Sequence, residues 1–209
     1  MTLRPPDKKE FKVCLFGDSS VGKTSIVRRF VQNTFSEFQA ASIGAAYTEK
    51  SIKIEDETYK IQIWDLAGQE TFKNLAPMYY RGAAAAILAF DITYKNSFIS
   101  VDSWMSELNK NAPEGIVLVL VGNKADSANI RQVSVEDIQS YTTKHNIIYF
   151  EASAKSGENV EEIFHFVCKS VPDKRRKNLM TLSGGSKPLN RINLNDLCET
   201  EIRNKKRCC

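Results

Sequence analysis

The tightest constraint on this chain is the loop Gly17-Asp-Ser-Ser-Val-Gly-Lys-Thr24, set between two regular patterns. The apolar run Phe11 to Phe16 before it reads as a strand, and the amphipathic run Thr24 to Gln32 after it reads as a helix. A loop of the form G-x-x-x-x-G-K-[ST] in that setting turns successive backbone N–H groups toward one point at a helix N-terminus. That makes a nest for phosphate oxygens. Gly17 and Gly22 let the backbone come close, Lys23 can reach the outer phosphates, and the Thr24 hydroxyl can ligate Mg²⁺. The chain reads as one that binds a nucleoside triphosphate. The loop by itself names neither the base nor the purpose.

The rest of the chain alternates strand and helix patterns. Strands are expected at Phe11–Phe16, Tyr47–Ile54, Thr58–Asp65, Ala84–Asp91, Ile116–Asn123 and Ile147–Glu151. Helices are expected at Thr24–Gln32, Asn96–Asn111, Ser134–His145 and Glu158–Ser170, with a shorter one near Leu75–Tyr80. Several strands are continuous apolar runs, as strands covered on both faces are. Tyr47–Ile54 and Thr58–Asp65 are separated by only three residues, which makes a hairpin and one antiparallel strand. The expected class is α/β, a doubly wound, six-stranded, mostly parallel sheet with helices on both faces. Ligands bind such sheets at the carboxyl ends of the strands.

Composition adds limits. A chain of 209 residues suits one domain and a tail, divided here as 1–9, 10–172 and 173–209. Residues 1–9 read as a flexible N-terminus. Met1 to Glu10 is too polar for a signal peptide, and Thr2 excludes N-myristoylation. The longest apolar run, Ala83 to Phe90, is too short to span a bilayer. A reducing compartment follows, so the five cysteines read as free thiols, Cys14 and Cys168 within the core and Cys198 without an assigned role. Residues 173–209 hold ten Lys/Arg against four Asp/Glu, whereas the whole chain is only +4. The folded body is therefore slightly acidic. That argues against a nucleic-acid-binding domain and for a basic tail of linker composition that meets an anionic surface.

Three further motifs each follow a predicted strand. In Asp65-Leu-Ala-Gly-Gln-Glu70, Asp65 is suited to hold Mg²⁺ through water, Gly68 to offer its N–H to a terminal phosphate, and Gln69 to orient a water for in-line attack. The plainer alternative is an Asp-capped turn. In Asn123-Lys-Ala-Asp126, a carboxylate can accept from the N1–H and 2-amino groups of guanine, a donor pair that adenine lacks. Glu151-Ala-Ser-Ala-Lys155 ends the last strand as a second base-contacting loop.

These motifs, with Ser42-Ile43-Gly44, stand in the order of the Ras-like small GTPases, and the chain resembles that superfamily over roughly residues 10–172. Trp64 to Glu70, Tyr79-Tyr-Arg-Gly82 and Cys208-Cys209 resemble the Rab branch. Ile43 to Tyr47, Leu75 to Ala83 and Gly122 to Asp126 resemble its early-endosomal members. The resemblance implies a P-loop G domain that binds GTP or GDP with Mg²⁺ and hydrolyses GTP. It implies nucleotide contacts at Ser19, Ser20, Val21, Gly22, Lys23, Thr24, Ser25, Phe35, Ser42, Gly68, Asn123, Lys124, Asp126, Ser153, Ala154 and Lys155. Thr24, Ser42 and Asp65 would serve the metal, and Gln69 and Lys23 the chemistry. Phe35 would pack on the guanine, with a plain core aromatic as the alternative. Segments near 33–48 and 66–82 would order and loosen with the terminal phosphate. Tyr47, Trp64 and Tyr79 match an aromatic trio read by partners, although Trp64 alone also suits a strand core.

The chain departs from the family pattern at Ser42, Tyr47, Leu66, Thr71 and Ala152, and none of these removes a catalytic group. The resemblance also implies partners: an exchange factor, an activating protein, effectors, and a dissociation inhibitor or prenylation escort, around a monomer. Cys208 and Cys209 would carry two lipids, each adding about 0.8 kcal/mol per buried CH₂. Arg203, Lys205, Lys206 and Arg207 beside them would favour an anionic leaflet. The expected location is the cytoplasmic face of an endosomal membrane, in exchange with the cytosol. Two other readings stay open here: a nucleotide-holding scaffold with negligible turnover, and an ATP-dependent phosphotransferase on a P-loop. Gln69 speaks against the first and Asn123–Asp126 against the second.

Overall fold

A computed structural model describes residues 9–38, 44–68 and 76–182, with side chains through 172. Six strands, β1 (Lys9–Phe16), β2 (Ala45–Ile54), β3 (Glu57–Leu66), β4 (Ala83–Asp91), β5 (Val117–Asn123) and β6 (Ile148–Glu151), form one sheet in the order β2-β3-β1-β4-β5-β6. All neighbours are parallel except β2 and β3, which form the expected hairpin. The helices are α1 (Lys23–Gln32), α2 (Ala76–Tyr80), α3 (Lys95–Ile99), α4 (Val101–Asn111), α5 (Val135–His145) and α6 (Val160–Leu182).

The period of two along a strand explains the two cores. On β1, Phe11, Val13 and Leu15 face one layer, built with Ile26 and Phe30 of α1 and Ile163, Phe164 and Val167 of α6. Cys14 and Phe16 face the other, built with Tyr80 of α2, Trp104 and Leu108 of α4 and Ile138 of α5. The rings of Phe30 and Phe164 stack 3.7 Å apart, which joins α1 to α6. Cys14 and Cys168 are buried thiols, as expected, and burial pushes both up to about 12. Among the described residues, no helix is long and apolar enough to cross a membrane.

Beyond shifts of one or two residues at element ends, three differences from the sequence-based expectation stand out. The single helix expected at Asn96–Asn111 is two, α3 and α4, because the Ser103 N–H and hydroxyl both donate to the Ser100 carbonyl, at 3.1 and 2.7 Å, and tighten the turn there. A short 3₁₀ helix at Ala125–Ile130 was not foreseen. Helix α6 continues through Pro172 to Leu182, well past the expected end at Ser170. Proline removes one backbone donor, and the Lys-, Arg- and Leu-containing stretch after it favours helix strongly enough to resume.

Candidate nucleotide site

The carboxyl ends of β1, β3, β5 and β6 and the segment after α1 each deliver one part of a cleft of about 450 Å³, within the roughly 300–1,000 Å³ usual for small-molecule sites. Ser19, Ser20, Gly22, Lys23, Thr24 and Ser25 line it from the loop after β1 and the start of α1. Phe35, Ser36 and Glu37 line it from the segment after α1, and Leu66 and Gly68 from the end of β3. Asn123, Lys124, Asp126, Ala154 and Lys155 line it from the ends of β5 and β6. Val21, Asp65 and Ser153 stand behind this wall rather than in it, and all three are buried. Ser42 and Gln69 lie outside the described residues, as do Cys198, Cys208 and Cys209.

The phosphate loop is tight. Gly22 has φ +93°, and a Cβ there would lie 2.2 Å from the Asn123 amide nitrogen. A Cβ on Gly68 would lie 2.3 Å from backbone atoms of Asp18 and Ser19, so the segment after β3 rests directly on the loop. Lys23 is buried, and its ammonium donates to the carbonyls of Gly17 at 2.8 Å and Asp18 at 2.7 Å. Burial lowers its pKa from 10.5 to about 8, against the pull of the Asp65 and Asp18 charges. Anionic oxygens in the loop would favour the charged form and oppose that shift.

The Thr24 hydroxyl donates to Asp65 Oδ2 at 2.5 Å, and Asp65 Oδ1 is buried without a hydrogen-bond partner. Burial raises the Asp65 pKa, opposed by the Thr24 bond and the Lys23 charge. A buried, unsatisfied carboxylate oxygen beside a hydroxyl fits a hard cation. Among the described residues no group of three or more His, Cys, Asp or Glu could hold a metal. Mg²⁺ takes one or two carboxylates and fills its shell with phosphate oxygens and water. When bound, the ion neutralises charge on the phosphates, and Thr24 and Asp65 are the residues here that would hold it.

The base end is organised by Asn123. Its amide donates to Val21 O at 2.8 Å, and its Oδ1 accepts the Ala154 N–H at 3.1 Å. The sequence expects Asn123 and the Ala154 N–H to contact the base. The structure uses both to join the phosphate loop to the base loop, with one amide hydrogen of Asn123 left over for a ligand. Asp126 is exposed, and its carboxylate is aimed from behind: Ser153 Oγ donates to Oδ1 at 2.5 Å and Ser127 Oγ to Oδ2 at 3.1 Å. Lys124 takes a left-handed conformation, φ +70°, and its ammonium pairs with Asp91 at 2.6 Å, which lays the stem along the cleft wall. Phe35 lines the cleft and also packs against the core.

Glu37 and Asp91 escaped the sequence analysis. Asp91 ends β4 at the same rim as the motifs, a position that counts as a signal. Glu37 pairs with Lys155 across the cleft mouth at 2.8 Å, and nothing in its spacing announces that. The hydrogen bond between them lowers the Glu37 pKa and raises that of Lys155.

A second constellation lies on the outer face of the hairpin. Tyr47 and Trp64 are register partners on β2 and β3, with ring centroids 5.3 Å apart, and Tyr79 sits 6.0 Å from Trp64. Tyr47 is 50% exposed and donates its hydroxyl to Glu49, and the Lys12 ammonium lies 4.6 Å from the Trp64 ring.

The fold and the cleft together define a P-loop nucleotide-binding domain of the GTPase kind. The model of the Ras family matches residues 12–173, and the chain belongs to that family. It is a small GTPase switch: it binds GTP and GDP with Mg²⁺, hydrolyses GTP, and works with exchange factors, activating proteins and effectors.

Proposed function

We propose that this GTPase acts as a Rab-like switch that recruits effectors to the cytoplasmic face of intracellular membranes, of the early-endosomal kind, in vesicular traffic. The observation that carries this reading is the clustering of Tyr47, Trp64 and Tyr79 into one partly exposed aromatic surface. A surface of that kind beside the two nucleotide-responsive segments can report their state to a partner. Cys208 and Cys209 carry the lipids in this reading, and the protein works as a monomer that a dissociation inhibitor or prenylation escort can lift from the membrane.

The double substitution Cys208→Ser, Cys209→Ser tests it. Nucleotide binding should stay intact, and a tagged copy imaged against compartment markers should move from endosomal membranes to the cytosol. Persistent membrane binding, or a wild-type protein on another organelle, would refute the respective part.

Intrinsic hydrolysis is slow in this reading, because among the described residues no arginine lines the cleft to act on the terminal phosphate in cis. An activating protein then completes the site, a supply worth on the order of 10⁵-fold in the Ras case. Single-turnover phosphate release should be slow alone, fast with an activating protein, and lost in both conditions for Gln69→Leu. Fast release by the protein alone would overturn the dependence. Release in neither condition would favour a nucleotide-holding scaffold.

A further inference from the structure

Arg29 is a cleft-side residue that no motif accounts for. It lies on α1, in the last turn before Gln32, and is half-buried. Its Nε donates to the Ala154 carbonyl at 2.9 Å and its Nη2 to the Lys155 carbonyl at 2.6 Å. Its Nη1 donates to the Asn33 carbonyl at 3.1 Å and to the Asn33 side-chain oxygen at 3.2 Å. One planar guanidinium thus joins the base loop after β6 to the left-handed turn at Asn33, φ +54°, which leads into Phe35.

The geometry points to Arg29 as a positioning residue that sets how long, and how selectively, the nucleotide is held. This rests on the guanine-nucleotide reading of the cleft and adds a cause for its selectivity. Each residue of the loop that Arg29 holds has a task at the cleft. Ser153 aims the Asp126 carboxylate, the Ala154 N–H closes onto Asn123, and Lys155 pairs with Glu37. Hydrogen bonds to two successive carbonyls fix the peptide plane between Ala154 and Lys155, and with it the Ser153 hydroxyl one residue before. Helix α1 also begins at Lys23, so one rigid element carries the phosphate-facing lysine at one end and the clamp on the base loop at the other. A lysine cannot replace the clamp, because an ammonium is a point charge without the planar fork that spans several carbonyls.

The test uses the full chain and two probes, GDP and inosine diphosphate, which lacks the 2-amino group that a carboxylate at Asp126 would accept. Dissociation rates and affinities for both are measured in wild type, Arg29→Lys and Arg29→Ala. GDP should dissociate roughly ten- to a hundredfold faster in both variants, the effect of losing hydrogen bonds to a charged group. The preference for GDP over inosine diphosphate should shrink in both. Arg29→Lys keeps the charge and the stem and carries the test if Arg29→Ala fails to fold. Unchanged GDP dissociation overturns the proposal. So does an equal acceleration for both probes with the preference intact, which is what a merely structural arginine would give. A wild type with no preference for GDP over inosine diphosphate would overturn the guanine reading itself. An intact wild-type preference with unaltered variants would overturn the role of Arg29 alone.

Discussion

Asn123→Ala is expected to destabilise the nucleotide-free protein and to detach the two ends of the cleft from each other. Asn123 is 2% exposed and bridges Val21 O and the Ala154 N–H. Its truncation strands one buried acceptor and one buried donor, at about 1–3 kcal/mol each. A total loss of about 2–4 kcal/mol follows, since the base loop can relax toward water and recover part of the cost. Urea denaturation without nucleotide reads this directly. GDP release should accelerate as well, because the phosphate loop and the base loop are no longer coupled. Asn123→Asp is the sharper comparison. It keeps an acceptor for Ala154 but faces the Val21 carbonyl with a second oxygen, so it should fare no better than alanine. A stability change below about 0.5 kcal/mol, the level of an ordinary surface substitution, would show that the bridge carries nothing.

Lys23→Met should produce the larger loss in nucleotide binding with a smaller loss in fold stability. The ammonium is buried and held by two backbone carbonyls, and burial already lowers its pKa to about 8. In the ligand-free protein its charge is therefore costly, and an apolar side chain of similar length removes that cost while leaving two carbonyls unpaired. With phosphates present the balance reverses, because the lost group is the buried counter-charge. Breaking such a buried pair costs about 3–5 kcal/mol, which corresponds to roughly 10²–10³-fold or somewhat more in affinity. Titration with a fluorescent GDP analogue and thermal melting of the ligand-free protein separate the two effects. Affinity within about threefold of wild type, less than 1 kcal/mol, would mean that the phosphates do not sit in the loop after β1.

Much of this was legible because the information is local. Continuous apolar runs locate the buried strands, a three-residue gap between Ile54 and Thr58 locates the hairpin, and each phosphate- or base-facing motif follows its strand directly. Gly22 and Gly68 are legible for the same reason, since each stands at a point where backbone meets backbone or an amide. What spacing cannot carry is a contact made across the chain by an ordinary side chain. Arg29 reads as the basic end of an amphipathic helix, and only the fold brings it to carbonyls 125 and 126 positions away. Glu37 reads as loop polarity until Lys155 arrives from β6. Asn123 is the intermediate case: its place at the end of β5 is local, but its partners at Val21 and Ala154 are not. The helix end near Pro172 was misread because proline marks a weak point rather than a stop when strong helix formers follow it.

The hairpin described above leaves β2 at the margin of the sheet, paired to β3 on one side only. A margin of that kind offers unmet N–H and C=O groups and invites a stranger's strand, the first step of edge-to-edge aggregation. Glu49, Lys50 and Lys53 fall on this strand. Lys50 is turned inward, over the Phe30 ring and onto the carbonyl of the same residue, so its charge seals the end of α1. Glu49 shares Lys60 of β3 across the same sheet face. Glu49 and Lys50 thus guard the margin with charges already committed to the molecule's own partners, which discourages promiscuous strand addition.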